Sequence, residues 1–465
     1  MPPEPGHAFP RRALLGATGA GALAGGLVAG AAACGAPEPA GERTDVTAFG
    51  AVGDGRADDT EALQAALDAV GDRGGAVVLP PGAYRVTAPL RPSTNTLIQG
   101  THAVGYDPST DPASSCKLVA GGDDFAVDAG LIENRESSVA RAVTLRGVAL
   151  VGDRTGEALH GVRFPDEYTG EHGWLLQDVT IAGFSGDGLR GNFQVVTMTG
   201  CHVTRNAGWG INASEGGRLA DAWVDRCLFY FNDAGNILLG PPEVSGAVEF
   251  VACRIERAGN TPLEPSEPVN ANAPGMRLSS ARLVGLTSCY TDANTGTGLE
   301  IITEAGTPDF LPNFVRATGC HFNRDGTGDG QWPAAAAGVR VSGGEATQQR
   351  PTVITFANCS VLQGPSADGD DAGGAVGPRH ALWIENTAEV QWLGGRLSAA
   401  GEEVLRLDGV NPGVAIHAFD RDLMTLPVAA PRTGGRVPEG ATYFDRAEGV
   451  LRIRIGDAWR SVRMT

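Results

Sequence analysis

Cys201-His-Val-Thr204, Cys227-Leu-Phe-Tyr230 and Cys253-Arg-Ile-Glu256 stand 26 residues apart, and this repeat decides the fold. Each unit is a short apolar strand led by cysteine. A polar turn follows, then a second strand, opening at Gly210-Ile211 and at Asn236-Ile237 in the first two units. The same unit recurs at Cys289-Tyr-Thr291, Cys320-His-Phe322 and Cys359-Ser-Val361, at spacings of 36, 31 and 39 residues. Toward the N-terminus it continues as Val179-Thr-Ile181 and Val148-Ala-Leu150, and further second strands open at Gly188, Gly275, Gly298 and Gly338. Self-similarity of this kind marks a solenoid, in which each unit buries its apolar face only by stacking on its neighbours. The extra residues of the longer units fall in Gly/Pro/Asp-rich loops, 259–274 and 364–379. Such insertions are expected to rise on one side of the stack and wall a groove.

Upstream of the repeat, Val46-Thr-Ala-Phe49-Gly50 leads through Gly53-Asp54-Gly55 into Asp58-Asp59-Thr60-Glu61, then Leu63, Leu67 and Val70 at helical spacing. This reads as a strand, a turn and a helix with one apolar face. Asp58 or Asp59 is placed to cap the helix, and Glu61 sets negative charge near its positive end. Gly74-Gly75 stops it, and Val77-Val-Leu79-Pro80-Pro81-Gly82 gives strand, turn and strand. The segment resembles the N-terminal opening of the pectate lyase superfamily, whose members include polygalacturonase-like enzymes and phage tailspikes. The resemblance implies an all-β fold, a right-handed single-stranded parallel β-helix with a helix capping its open end. It implies no reaction type, because hydrolases, lyases, epimerases and non-catalytic binders share it. Polygalacturonase-like Gly-His-Gly is missing, Lys117 is the only lysine, and the Asp pairs at 58–59, 123–124 and 370–371 lie off the strand face. No catalytic residue carries over from that family.

Six of the eight cysteines occupy one position of successive units. In-register neighbours on a parallel stack lie about 4.8 Å apart, whereas a disulfide needs Cβ atoms at roughly 3.8 Å. The ladder is therefore expected to be free, buried thiols acting as small apolar residues. It spreads its sulfurs along the stack, so no metal site is expected there. No cofactor is expected, and the sequence does not decide on bound calcium.

If the ladder points inward, alternation turns the first and third residues after it outward. The outward pairs become Thr180/Ala182, His202/Thr204, Leu228/Tyr230, Arg254/Glu256, Tyr290/Asp292 and His321/Asn323. Aromatic rings stack on sugars and polar groups orient them, so this column is the expected glycan site. A solvated surface is the competing reading. Glu256, Asp292, Arg254 and His321 are the catalytic candidates, with His202, Tyr230, Tyr290 and Asn323 as substrate contacts. Glu256 and Asp292, on neighbouring units, suit the paired carboxyls of an inverting glycosidase. Alternatively His202, Tyr230, His321 or Tyr290 removes the C5 proton of a uronate while Arg254 neutralises its carboxylate. A second outward column, Arg190, Asn212, Arg277, Glu300, Arg340 and Arg406, is either a carboxylate-binding row or surface charge balance.

With 67 Gly among 465 residues and 6% aromatics, the composition suits many tight turns between short strands. Net charge is −18, which argues against a nucleic-acid partner. Arg11-Arg12 precedes an apolar stretch from Ala13 to Ala33 that ends at Cys34. This resembles a twin-arginine export signal with a lipoprotein cleavage site, leaving Cys34 lipidated; a plain secretory signal or simple anchor is the alternative. The expected organisation is a signal over 1–34, a linker over 35–44, the β-helix over 45–425 and a β-hairpin cap over 426–465. The functional expectation is an exported protein, lipid-anchored at the cell surface or secreted, that cleaves a long, uronate-containing polysaccharide as hydrolase or lyase. A non-catalytic glycan-binding or structural protein is the alternative. The membrane is met only through the lipid, and the oligomeric state is not legible.

Overall fold

The computed structural model describes residues 42–101, 115–122, 125–134, 140–154, 157–164, 172–214, 219–240, 246–259, 270, 272–279, 283–302, 313–326, 336–343, 352–365, 375–387, 389–398, 403–409, 411, 413–420, 423–424, 442–445, 450–455 and 458–463. The signal, Cys34 and the linker up to residue 41 lie outside these residues.

The fold is a right-handed parallel β-helix with three strands per turn rather than two. Sheet 1 runs from Glu42–Asp45 to Gly413–Asp420, sheet 2 from Asp54–Asp58 to Ser360–Leu362, and sheet 3 from Gly130–Glu133 to Glu403–Asp408. The third strand of each turn precedes the ladder cysteine, as in Val196–Thr199 and Leu219–Asp225. It alternates cleanly: Val196 and Met198 face the core, while Thr197 and Thr199 do not. The last strand of sheet 1 is met by Leu423–Met424, which runs antiparallel to it. Three strands, Thr442–Asp445, Val450–Ile455 and Ala458–Arg463, form an antiparallel sheet of their own where a two-stranded hairpin was expected.

The ladder cysteines are buried and free. Cys116 joins the same column, with Val148 and Val179 between it and Cys201, because Lys117, Ala149, Thr180 and His202 pair in succession. Burial pushes the Cys116 thiol up to about 12, which keeps it protonated and unreactive.

Single left-handed residues make the corners. Between sheets 1 and 2 these include Gly147, Asp178, Gly200, Arg226, Ala252, Ser288, Gly319 and Asn358, all with φ between 51° and 64°. Between sheets 2 and 3 they are Arg205, Phe231, Arg257, Ala293 and Arg324. The residue after each of this second set turns inward. Asn206, Asn232, Asn294 and Asp325 therefore stack as a buried polar ladder, five residues after their cysteines. Asn206 Nδ2 donates to Asn232 Oδ1 at 2.9 Å, and Asn294 Nδ2 to Asp325 Oδ1 at 2.8 Å. The ladder explains the glycines that open the sheet 3 strands: a Cβ at Gly275 would lie 2.7 Å from Asn294 Nδ2, and one at Gly298 2.1 Å from Asp325 Oδ2. One turn lacks its amide, having Ala258 there. In the preceding turn Asn236 replaces the glycine, and its side chain accepts from Asn232 at 2.8 Å and donates to Asn294 at 3.1 Å. The two exceptions compensate each other, so the buried hydrogen-bond chain stays continuous.

Helix α1 (Thr60–Val70) buries Leu63, Ala66, Leu67 and Val70. Leu63 and Leu67 line one small cavity with Val77, Leu79, Leu90, Ile98 and Leu118 and belong to the same core, so the helix closes its N-terminal end. Asp58 accepts from the Thr60 amide and hydroxyl and from the Thr87 hydroxyl. Asp59 caps nothing by its side chain; it instead holds the preceding turn through the Val52 and Gly53 amides.

Candidate functional site

Sheet 2 aligns the expected column. Thr180, His202, Leu228, Arg254, Tyr290, His321 and Ser360 pair in succession, and so do Ala182, Thr204, Tyr230, Glu256, Asp292, Asn323 and Leu362. Between the two rows, Ile181, Val203, Phe229, Ile255, Thr291, Phe322 and Val361 are buried. The sidedness read from alternation is the sidedness of the fold.

Exposure along this face is uneven. Thr180, Thr204, Leu228 and Tyr230 are buried. Tyr230, expected as a glycan contact, is 2% exposed, its ring set edge-on to Phe231 and to half-buried His202. It is a packing residue. Arg254 and His321 are exposed, and Glu256, Tyr290 and Asn323 are partly so. Of the loops expected to wall a groove, most of 259–274 and 364–379 lies outside the described residues.

Asp292, expected as a catalytic carboxylate, is 5% exposed and held on both oxygens. Arg324 Nε donates to Oδ1 at 2.7 Å, its second nitrogen bonds Oδ2, and Asn323 Nδ2 donates to Oδ1 at 3.0 Å. A carboxylate so engaged frames the site rather than reacting in it. The reach of Arg324 back across one turn was not legible, since it sits at a left-handed corner outside the strand alternation. Asn323 is committed as well, because its amide also donates to the Tyr290 hydroxyl at 3.0 Å and fixes that ring.

Glu256 is different. Arg254 Nε donates to its Oε1 at 2.6 Å, and Oε2 makes no hydrogen bond among the described residues. Burial raises its proton affinity above the ordinary glutamate value, with Arg254 opposing and Asp292 adding to the rise. Burial likewise raises Tyr290, with Asn323 opposing and the Asp292 and Glu256 carboxylates adding to the rise. The Arg254 guanidinium stands 5.8 Å from the Tyr290 ring, and Arg257 stands 5.7 Å from the Phe231 ring. One available carboxyl, one oriented phenol and a guanidinium rim suit proton transfer beside a negatively charged group.

The second column also aligns, with Arg163, Leu238 and Trp383 in the same row. Its cations have local partners: Arg277 with Glu300 at 2.7 Å, Arg340 with Glu385 at 3.3 Å and Arg406 with Asp408 at 2.6 Å. Arg340 and Arg406 also stack on Trp383 at 4.6 and 4.3 Å. Of the two readings, charge balance describes it better than carboxylate capture.

His160 belongs to a polar cluster. Its Nδ1 accepts from the Asp187 amide at 2.7 Å, so Nε2 carries the hydrogen toward Asp128 at 2.9 Å. Arg163 and Arg190 join Asp128 at 2.8 and 3.0 Å, and Asn212 donates to Asp187 at 2.9 Å. Both imidazole nitrogens are engaged, so the ring fixes the first turns of sheet 3. Among the described residues, no group of three or more His, Cys, Asp or Glu side chains is arranged to hold a metal ion.

Comparison with known proteins bears on this geometry. Residues 44–137 match the family described as rhamnogalacturonase A/epimerase, pectate lyase-like. Mannuronan C5-epimerase AlgE2 of Azotobacter vinelandii is 31% identical over 163 residues, 33% of this chain and 16% of that protein. AlgE6 of the same organism is 54% identical over 54 residues, 11% of this chain and 6% of that protein. The chain thus matches only a small part of these relatives. Among solved structures, the enzymatically active domain of bacteriophage CBA120 tailspike protein 2 is similar, with a TM-score of 0.52 and 14% identity over 79% of this chain and 51% of that one. Tailspike gp49 of Acinetobacter baumannii bacteriophage Fri1, a capsular polysaccharide depolymerase, gives 0.51 and 11% over 88% and 69%. The fold is the one these tailspikes share.

Proposed function

We propose that this chain acts on a long, uronate-bearing polysaccharide laid along sheet 2, and that its chemistry begins with removal of the proton at C5. The arrangement of Glu256 and Tyr290 carries the reading: the available carboxyl and the oriented phenol lie on adjacent turns beside Arg254. Glu256 takes the C5 proton, and Arg254 stabilises the charge that builds on the substrate carboxylate. In elimination the C–H pair becomes the C4–C5 double bond, the C4–O bond breaks, and the Tyr290 hydroxyl protonates the leaving oxygen. The A. vinelandii relatives are named as mannuronan C5-epimerases, and loss of the C5 proton is common to inversion and elimination. Hydrolysis needs two available carboxyls, and Asp292 is engaged on both oxygens.

The test is product analysis after incubation with alginate, polygalacturonate and a neutral galactomannan. Unsaturated ends by mass spectrometry, or inverted C5 centres by NMR without shortening, are the expected results. Ends carrying added water would establish hydrolysis instead, and retention of unaltered polymer would establish binding alone.

The reading includes export through Arg11-Arg12, with lipid on Cys34 as the link to the membrane. No helix among the described residues is long and apolar enough to cross one. A metabolic lipid label should enter the protein in its native host and be lost in Cys34→Ala. Equal labelling of both would sink the lipid anchor.

A further inference from the structure

Sheet 1 presents an outward row that the sheet 2 site does not use. Thr197, Trp223, Glu249, Gly285 and Arg316 pair in succession along it. Trp223 is 51% exposed, although its neighbours Ala222 and Val224 are buried. The next residue in the row, Glu249, does not fold over the indole. A Cβ at Gly285 would lie 2.0 Å from Glu249 Oε2, so the carboxylate extends over that glycine, away from Trp223. It is drawn there by Arg316, whose guanidinium stands 3.6 Å from Oε1 and is itself 67% exposed.

We propose that Trp223, Glu249 and Arg316 form a second glycan-binding platform, on a different sheet from the reacting groups. The indole takes the apolar face of a pyranose ring, and the carboxylate and guanidinium take the hydroxyls at its rim. The row spans three turn steps, roughly 14 Å at the strand spacing, enough for more than one sugar. Gly285 brings no side chain of its own and is covered only by the Glu249 carboxylate, so the row stays low and an extended chain can lie across it. Leu283 and Phe314, 55% and 40% exposed, flank the row. A second copy of this chain is the weaker occupant. Stable interfaces bury about 1,200 Å² or more around an apolar centre, and here a charged pair occupies the centre.

This inference rests on the proposed function for the class of ligand. The experiment is affinity electrophoresis of the full chain through gels containing alginate, polygalacturonate or galactomannan. It is run alongside polymer modification and sedimentation for the native protein, Trp223→Ala, Trp223→Tyr and Glu249→Gln. The expected result is at least a fivefold loss of retention in Trp223→Ala and a smaller loss in Glu249→Gln. Trp223→Tyr should recover much of the loss, with the rate on short oligosaccharides unchanged. Unchanged retention in Trp223→Ala, with the polymer still modified, overturns the platform and leaves the proposed function standing. A native protein that neither binds nor modifies any of the polymers overturns both. Loss of a dimer in Trp223→Ala overturns the platform in favour of contact between copies.

Discussion

At pH 8 the Asp325→Asn variant is expected to melt well above the native sequence, and at pH 4 close to it. Asp325 is fully buried in a ladder otherwise built of asparagine, and burial raises it to about 8. In the unfolded chain it ionises near the ordinary aspartate value of 3.8. The folded-state value lies above the unfolded one, so unfolding releases a proton between these two pH values. Below about pH 4 both states hold the proton and no penalty exists. As pH rises toward 8 the unfolded state gains about 1.4 kcal/mol per unit, on the order of 4 kcal/mol by pH 7. Asparagine removes that gain while keeping the contacts. Its oxygen can accept from the Asn294 amides, as Asp325 Oδ1 does at 2.8 and 3.2 Å. Its nitrogen can donate to the Thr291 hydroxyl, which stands 2.6 Å from Asp325 Oδ2. Thermal melts of both proteins across pH 4 to 8 provide the check. A gain that is the same at every pH would mean that Asp325 ionises alike in both states, contrary to the burial argument.

Glu256→Gln should lower turnover by about two to four orders of magnitude, the usual contribution of a positioned acid or base, with little change in melting temperature. The amide keeps an oxygen for the Arg254 hydrogen bond, so the frame should survive. Asp292→Asn should act in the opposite sense. It leaves Arg324, at 18% side-chain exposure, without its anionic partner, and losing a charged hydrogen bond there costs about 1.5–3 kcal/mol. Stability falls first, and much of the turnover per folded molecule remains. If both variants abolish turnover without loss of stability, the two carboxyls are equivalent partners and hydrolysis replaces proton abstraction.

The candidate site was half legible. Its rows follow from two local facts, the inward cysteine and the two-residue strand period. Arg254, Glu256, Tyr290 and Asp292 therefore fell on one face without knowledge of the fold. Burial was another matter. Tyr230 and Glu256 occupy the same row on adjacent turns, yet one is closed off and the other meets water. Only what lies over each turn separates them. The polar ladder has a sequence signal, an Asn or Asp five residues after four of the six ladder cysteines, but its members alone look like ordinary turn residues.

The sequence alone determined the stack, its register, the inward column and the N-terminal plug. Each of these rests on short-range periodicity that strand geometry turns directly into position. The third strand was present in the same alternation, though it lacked a cysteine to mark it. Tertiary structure alone decided which charges are spent and which remain. Arg324 reaches Asp292 across 32 residues, Asn236 serves in place of Ala258, and His160 lies between Asp128 and Asp187. These pairings join neighbouring turns or, for Asn236 and Asn294, reach past the turn between them, and the length of chain between their members varies with each loop. Hydrogen bonding and solvation therefore act between residues that no fixed spacing along the sequence connects.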